Sequence, residues 1–338
     1  MVDINWDELG FDFIPTDKMF ISKADASGNY DEGKVVPFGN IELSPAACVL
    51  NYGQGVFEGM KAQRTKDGKI VLFRPLENGK RMKESAERLA IPPYDPEKFV
   101  EAVKATVLAN KDYIPPYKKG SLYIRPILFG SGAILGVAPS PEYTFIVFVV
   151  PVGPYYKEGF NPIKLEIIKN YHRAAPKGTG AAKAIGNYAG SLVPGKLTKS
   201  KGFAQEVYLD AKNEKYIEEV GTANFFCVVD GVLLTPRLTG SILPGITRKS
   251  VIQLAKDKLG MTVEEKDIPY EETFKSSEAF CTGTAAVITP IGSITFEEKE
   301  YIFNDFKVGP VTQKLYDLLV GIQRMEIDDS YNWVEVVK

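Results

Sequence analysis

The chain switches between two hydrophobic periodicities. KIVLF, behind a Lys-Asp-Gly turn, has the apolar run of a strand, whereas residues 75–89 repeat apolar positions at helical spacing. Asp95-Pro96-Glu97 then supplies an N-cap, a first-turn proline and an early acid. The apolar stripe behind it, Phe99, Val100, Val103, Val107 and Leu108, predicts a second helix. SLYIRPILFG and EYTFIVFVVPVG follow as two strands that can pair in one sheet. Alternation in the first places Tyr123 and Arg125 on one face and Leu122 and Ile124 on the other.

PVGPYYKEGFNP, rich in proline, glycine and aromatics, breaks this pattern and reads as the start of a linker. The expected organisation is a first domain over 1–154, a linker over 155–170 and a second domain over 171–338. In the second half EVYLD, KYIEE, FFCVV and VLLTP are separated by Asn-Glu and Asp-Gly turns, as in an antiparallel meander. Helices are predicted over 247–259 and 311–325. The pattern is that of an α+β chain with two unequal domains.

Composition removes several classes of function. With 338 residues, 44% hydrophobic and 25% charged, the chain is ordinary globular material with room for a large core. A net charge of −2 gives no general attraction to nucleic acid or anionic lipid. The strongest apolar run, YTFIVFVV, is far short of the ~20 residues that span a bilayer. The N-terminal MVDINWDELGFDF is acidic and lacks signal-peptide and transit-peptide features, so cytoplasmic residence is expected. Cys48, Cys227 and Cys281 are too few and scattered for a disulfide framework or a zinc site, and no metal is expected. His172 is the only histidine, which excludes a His-Glu-x-x-His helix and leaves His-dependent triads to that one residue. A phosphate-binding P-loop is absent, and GQGVFEG has the wrong spacing for a dinucleotide fingerprint.

The remaining chemistry centres on GTGAAKAIGNYAGSL, where Lys183 stands among glycines and alanines. Such a lysine is either simply solvated or crowded against a ligand. In the second case burial would favour the free amine, a nucleophile for a carbonyl. Three other stretches supply parts for a phosphorylated aldehyde. SILPGITR carries Pro244 and Gly245 into a helix start at Ile246 and Thr247, where amides and helix dipole favour an anion. IEEVGTAN ends a strand in two acids, of which alternation lets only one, Glu218 or Glu219, point inward, there to meet a cation or a protonated ring nitrogen. FCTGTAAVITP offers Thr284 and neighbouring amides to phosphate or carboxylate.

Together with GQGVFEGMKA, LFRPLENGKRM and SLYIRPILFG, the motifs GAAKAIGNY, IEEVGTANFF and SILPGITR resemble, in order over residues 51–290, the branched-chain aminotransferases. These are pyridoxal phosphate enzymes of fold type IV. The resemblance implies a D-amino acid aminotransferase-like architecture, with a small N-terminal α/β domain and a larger C-terminal domain built on a mainly antiparallel, barrel-like sheet. It implies that Lys183 forms the Schiff base with the cofactor and carries the proton, and that Glu219, standing directly before Val-Gly-Thr, keeps the pyridine nitrogen protonated. Tyr188 would meet the phenolic oxygen. Arg81, Thr222, Thr284 and the amides of Ile246 and Thr247 would hold the phosphate, and Arg173 matches a further arginine of the cofactor site. Tyr52, Phe57, Tyr123, Arg125, Tyr155 and the Thr284-Ala285 turn fall to the substrate pocket. Leu135 and Val137 match a loop that crosses to the partner subunit, which makes a homodimer the expected active unit.

The implied reaction is reversible amino transfer from leucine, isoleucine or valine to 2-oxoglutarate. Two departures stand out. Ala286 and Thr289 occupy positions where mammalian members carry a Cys-x-x-Cys, so thiol regulation is not expected there. In FDFIPTDKM, Pro15 stands before the Thr-Asp pair where relatives often place an aromatic pocket residue, which leaves that wall of the pocket open. The rival readings are a D-amino acid transaminase or an aminodeoxychorismate lyase of the same fold, or a non-catalytic dimeric scaffold. The Glu-Gly-Met-Lys-Ala tract and Tyr123-x-Arg125 argue against the first two.

Overall fold

The protein is described by a computed structural model over residues 4–153 and 160–338. It divides into two compact units. The first comprises 1–155 with 182–186 and 322–338, and the second comprises 156–181 with 187–321.

The first unit is built on an eight-stranded antiparallel sheet. Its order is Val334–Val337, Ile70–Phe73, Met60–Arg64, Ser121–Gly130, Glu142–Val152, Lys18–Asp25 and Lys34–Pro37, with Gly55–Phe57 also paired to Ser121–Gly130. The two long central strands pair in the register Tyr123↔Val150 and Arg125↔Phe148. Leu122 and Ile124 are fully buried while Tyr123 and Arg125 are half-buried, as period-2 alternation requires. Helices Pro75–Arg88 and Pro96–Ala109 carry Met82, Phe99, Val103 and Val107 into the same core as Leu122, Ile124 and Phe145, where Tyr94 stacks on Phe145 at 4.1 Å. The second helix starts as its sequence demands, with the Asp95 carboxylate accepting from the amides of Glu97 and Lys98.

The second unit contains a nine-stranded sheet closed into a ring. Strands Ile163–Ile168, Gln205–Leu209, Ile217–Val220, Ala223–Val229, Glu278–Gly283 and Val287–Phe296 pair in a cycle, because Ile217–Val220 bonds to both Gln205–Leu209 and Ala223–Val229. The meander from Gln205 to Pro236 is antiparallel throughout, and parallel pairings on both sides of Ile163–Ile168 complete the circuit. Closure removes the edges of the ring. Its hairpin at Val220 and Ala223 turns through Gly221, whose φ of +52° is the left-handed value that favours glycine. Helix Ile246–Leu259 ends on Gly260, also left-handed.

The observed organisation departs from the sequence-based boundaries in three places. The second half of the expected linker is the strand Ile163–Ile168, whose IKLEII alternation is short enough to be masked by the preceding Asn-Pro. The C-terminal residues 322–338 join the first unit by adding the strand Val334–Val337 to its sheet edge, a pairing of remote segments that no local pattern announces. The segment 182–186, with Lys183, also belongs to the first unit. Among the described residues no helix is long and apolar enough to cross a membrane.

Candidate active site

In the first unit Lys183 is fixed by its backbone. Its amide donates to Ser85 Oγ at 2.9 Å, its carbonyl accepts from the Phe57 amide at 3.1 Å, and Ala184 bridges to Val56. The side chain is half-buried, with Nζ 4.7 Å from the Phe57 ring centroid. The same ring faces a second cation: Arg125 Cζ lies 4.8 Å from Phe57 and 5.3 Å from the ring of Tyr123, and Nη2 donates to Tyr123 Oη at 3.3 Å. A side chain at position 59 would meet that hydroxyl, since a Cβ there would fall 2.2 Å from Tyr123 Oη, so Gly59 keeps the tyrosine seated. Lys183, Phe57, Tyr123 and Arg125, four of the expected site residues, are thus one cluster.

Beneath them, one face of helix Pro75–Arg88 presents buried polar groups instead of core residues. Asn78, Arg81 and Ser85 recur at helical spacing toward the Phe57-Glu58-Gly59 tract. Arg81 meets Glu58 through Nε at 2.7 Å and Nη2 at 2.8 Å, and Asn78 Nδ2 and the Gly59 amide donate to the same carboxylate. Burial alone would push the Glu58 carboxyl up. The Arg81 guanidinium, with Lys183 and Asn78, overcomes this and holds it below the ordinary glutamate range. Glu58 was not singled out from the sequence, where it read only as part of a motif.

Phe11 was also missed. Its ring meets Tyr123 edge-on at 5.3 Å, so an aromatic lies against the cluster although Pro15 precedes the Thr-Asp pair. Tyr52 donates its hydroxyl to the carbonyl of Leu135, and Leu135 and Val137 are both 88% exposed. Tyr155 lies outside the described residues.

In the second unit Glu219 is 1% exposed and receives Arg173 Nε at 2.7 Å, Asn224 Nδ2 at 3.2 Å and the Leu243 amide at 3.3 Å. Arg173 is held in turn by the carbonyls of Ser241 and Gly180, at 2.7 and 3.3 Å. The sequence suggested that only one of Glu218 and Glu219 would be inward. Both are buried, at 4% and 1%, because a strand within a closed ring is covered on both faces. Glu218 finds Ser241 Oγ on its side.

Asn224 ties this cluster to the helix start by donating to Leu243 O at 2.9 Å. A Cβ at position 245 would fall 2.0 Å from Asn224 Oδ1, which fixes glycine as the N-cap of helix Ile246–Leu259. That cap makes no side-chain hydrogen bond, so the amides at Ile246 and Thr247 are not closed off by a Ser or Thr cap. Thr284 and Ala285 form a half-buried three-residue turn with Ala286, ended by Val287 at φ +57°, a costly value for a β-branched residue. Thr222 is exposed in the Gly221 hairpin. Tyr188 is half-buried in helix Ile185–Ala189, next to Asn187, which pairs with Thr179. His172 lies near the surface, 3.6 Å from Glu214. Among the described residues no group of three or more His, Cys, Asp or Glu could hold a metal ion.

Residues 55–294 match the family Amino-transferase class IV. Over 333 residues, 98% of this chain and 80% of the relative, the sequence is 50% identical to the chloroplastic branched-chain-amino-acid aminotransferase 5 of Arabidopsis thaliana. The crystal structure of the Escherichia coli branched-chain amino acid aminotransferase superposes with a TM-score of 0.83 at 31% identity, covering 96% of this chain and all of that one. The branched-chain aminotransferase of the thermophilic archaeon Thermoproteus uzoniensis, solved with norvaline, gives a TM-score of 0.82 at 29% identity, with coverage of 96% and 100%. The chain belongs to the class IV aminotransferases, and within them to the branched-chain aminotransferases.

Proposed function

We propose that the protein is a pyridoxal phosphate-dependent transaminase that moves the amino group of leucine, isoleucine or valine to 2-oxoglutarate, reversibly. The observation that carries the reading is Lys183: its backbone is pinned on both sides while its amine stands over Phe57, the ring that Arg125 also meets. The groups present fit the cofactor. A lysine amine suits an aldehyde, a buried carboxylate already neutralised by Arg173 suits a ring N–H, and an uncapped helix start behind an obligatory glycine suits a phosphate.

When bound, the cofactor supplies an electron sink for the bonds at the substrate's α carbon. Lys183 would anchor the aldehyde carbon and move the α proton; a positioned base of this kind contributes about 10²- to 10⁴-fold. Glu219 would hold a proton on the ring nitrogen, and Tyr188 would hydrogen-bond the phenolic oxygen. Thr222, Thr284, Arg81 and the amides of Ile246 and Thr247 would share the phosphate. Arg125 and Tyr123 would bind the substrate carboxylate, with Phe57, Tyr52, Tyr155 and Ala285 receiving the side chain.

The bare Leu135 and Val137 support a homodimer in which this loop meets the partner subunit. Light scattering during gel filtration checks the dimer. Cytoplasmic residence is part of the same proposal, set against an Arabidopsis relative named for the chloroplast, and a fluorescent fusion imaged in the host decides it.

The decisive experiment is a visible absorption spectrum of the purified protein before and after L-leucine. Conversion to the pyridoxamine form, reversed by 2-oxoglutarate, is expected. Discharge by D-alanine alone would place the protein with the D-amino acid transaminases, and failure of added pyridoxal phosphate to give any chromophore would overturn the reading.

A further inference from the structure

Around Arg173 the second unit buries more acid than that arginine balances, and its other buried arginine, Arg248, is taken by Glu265 and the Pro236 carbonyl. Arg173 is committed to Glu219 and to two carbonyls, yet Glu218 is also buried on the opposite face of the same four-residue strand. Its Oε1 takes the Ser241 hydroxyl, while its Oε2 is buried with no hydrogen-bond partner among the described residues. An ionised carboxylate left half-unpaired out of water is strongly disfavoured, whereas a neutral carboxyl needs far less from its surroundings.

The groups that face Glu218 act in opposing directions. Burial raises its carboxyl above the ordinary glutamate range. The Ser241 hydrogen bond lowers it, Asp210 at the end of strand Gln205–Leu209 raises it, and Arg173 and His172 on the loop before Lys177 lower it, with the upward effects prevailing. Tyr208 and Glu206, hydrogen-bonded to each other at 2.9 Å on that neighbouring strand, add no compensating cation.

Ser241 joins this acid to the cofactor-side pair. Its hydroxyl bonds Glu218 and lies 2.7 Å from Thr239 Oγ1, its carbonyl accepts from Arg173, and two residues on the Leu243 amide donates to Glu219. We infer that Glu218 is a proton-holding positioning residue: as a neutral acid it fixes Ser241, and through Ser241 the Arg173–Glu219 pair, without adding a second negative charge. A neutral Glu218 leaves Arg173 to Glu219 without a further negative charge from that strand. Loss of its proton puts a second carboxylate of the strand within the electrostatic reach of the same arginine, and the balance at Glu219 changes with it.

The effect on the cofactor rests on the role proposed for Glu219, whereas the proton on Glu218 does not. Two measurements on the purified, cofactor-loaded protein separate them. Infrared difference spectra between the parent and Glu218→Gln, recorded across pH, are expected to show the carbonyl stretch of a neutral carboxyl in the parent only, persisting to higher pH than that of an ordinary glutamate. Loss of that band where an ordinary glutamate ionises would overturn the inference. The visible absorption of the cofactor followed against pH is expected to show an inflection in the parent that coincides with loss of the band and that Glu218→Gln abolishes, and superimposable curves would overturn the coupling. Should Glu218→Gln fold poorly, Ser241→Ala provides the assignment, because loss of the hydroxyl must shift the Glu218 band, and an unshifted band counts against the inference. If the parent never forms a chromophore, the functional reading fails while the infrared result still decides the proton.

Discussion

Arg173 and Glu219 form a buried ion pair 2.7 Å apart, with both side chains at or below 5% exposure. Removing one partner of such a pair leaves an uncompensated charge out of water. Arg173→Met is therefore expected to lower the unfolding free energy by about 3–5 kcal/mol. Urea denaturation followed by circular dichroism checks it, and a loss near zero would mean that the guanidinium does not balance Glu219.

Glu58 and Arg81 make a prediction with a pH signature. The Glu58 carboxyl is held below its ordinary value of 4.5, so the folded protein binds fewer protons there than the unfolded chain. Its contribution is present above pH 4.5 and is lost as pH falls through the lower folded value. The melting temperature of the parent should fall more steeply on acidification below that point than that of Glu58→Gln, and parallel curves would contradict the pairing.

Gly245→Ala tests the seat at the helix start. The added methyl would land 2.0 Å from Asn224 Oδ1, and overpacking of this kind costs about 1–3 kcal/mol. If the site is as proposed, cofactor affinity measured by equilibrium titration falls roughly tenfold or more, one decade per ~1.4 kcal/mol. Gly231→Ala, with open space around its Cβ but a left-handed φ of +79°, serves as a strained control away from Asn224 and should leave that affinity alone.

Arg125 lies against two rings, an arrangement that suits a planar guanidinium and not a lysine ammonium. Arg125→Lys should raise KM for 2-oxoglutarate more than KM for leucine, because only the former brings a second carboxylate. Equal changes in steady-state kinetics would remove the arginine from carboxylate recognition.

The cysteines should be inert. Cys48, Cys227 and Cys281 are all buried, and burial pushes the Cys227 thiol up to about 12. A thiol reagent should label none of them rapidly in the native protein and all three in denaturant, and mild oxidant should leave transamination unchanged. Rapid labelling of the native protein would show access that the structure does not provide.

Elements whose signals are local were readable from the chain alone. The Asp95 cap and its helix, the strand Ser121–Gly130 with its two faces, the meander up to VLLTP and the helix after Pro244-Gly245 all appear where local sequence placed them. What stayed hidden depends on distant partners. Asn78, Arg81 and Ser85 make the inner face of a helix polar because Glu58 and Lys183 lie opposite, information carried dozens of residues away. The burial of Glu218 follows from ring closure, which alternation along one strand cannot reveal. The strand at Val334–Val337 exists because Ile70–Phe73 offers it an edge.

The five-residue excursion that carries Lys183 has a consequence for inheritance. Its flanks belong to the second unit, while Ala182 to Gly186 packs with the first, whose last strand is drawn from the C-terminus. No single cut in the coding sequence therefore separates the units. A truncated gene ending near residue 155 would encode Phe57, Glu58, Arg81, Ser85 and Arg125 but neither the lysine they surround nor the strand that completes their sheet. The chain passes between the units at four junctions, so shuffling one unit onto another scaffold would require all four to be respliced at once.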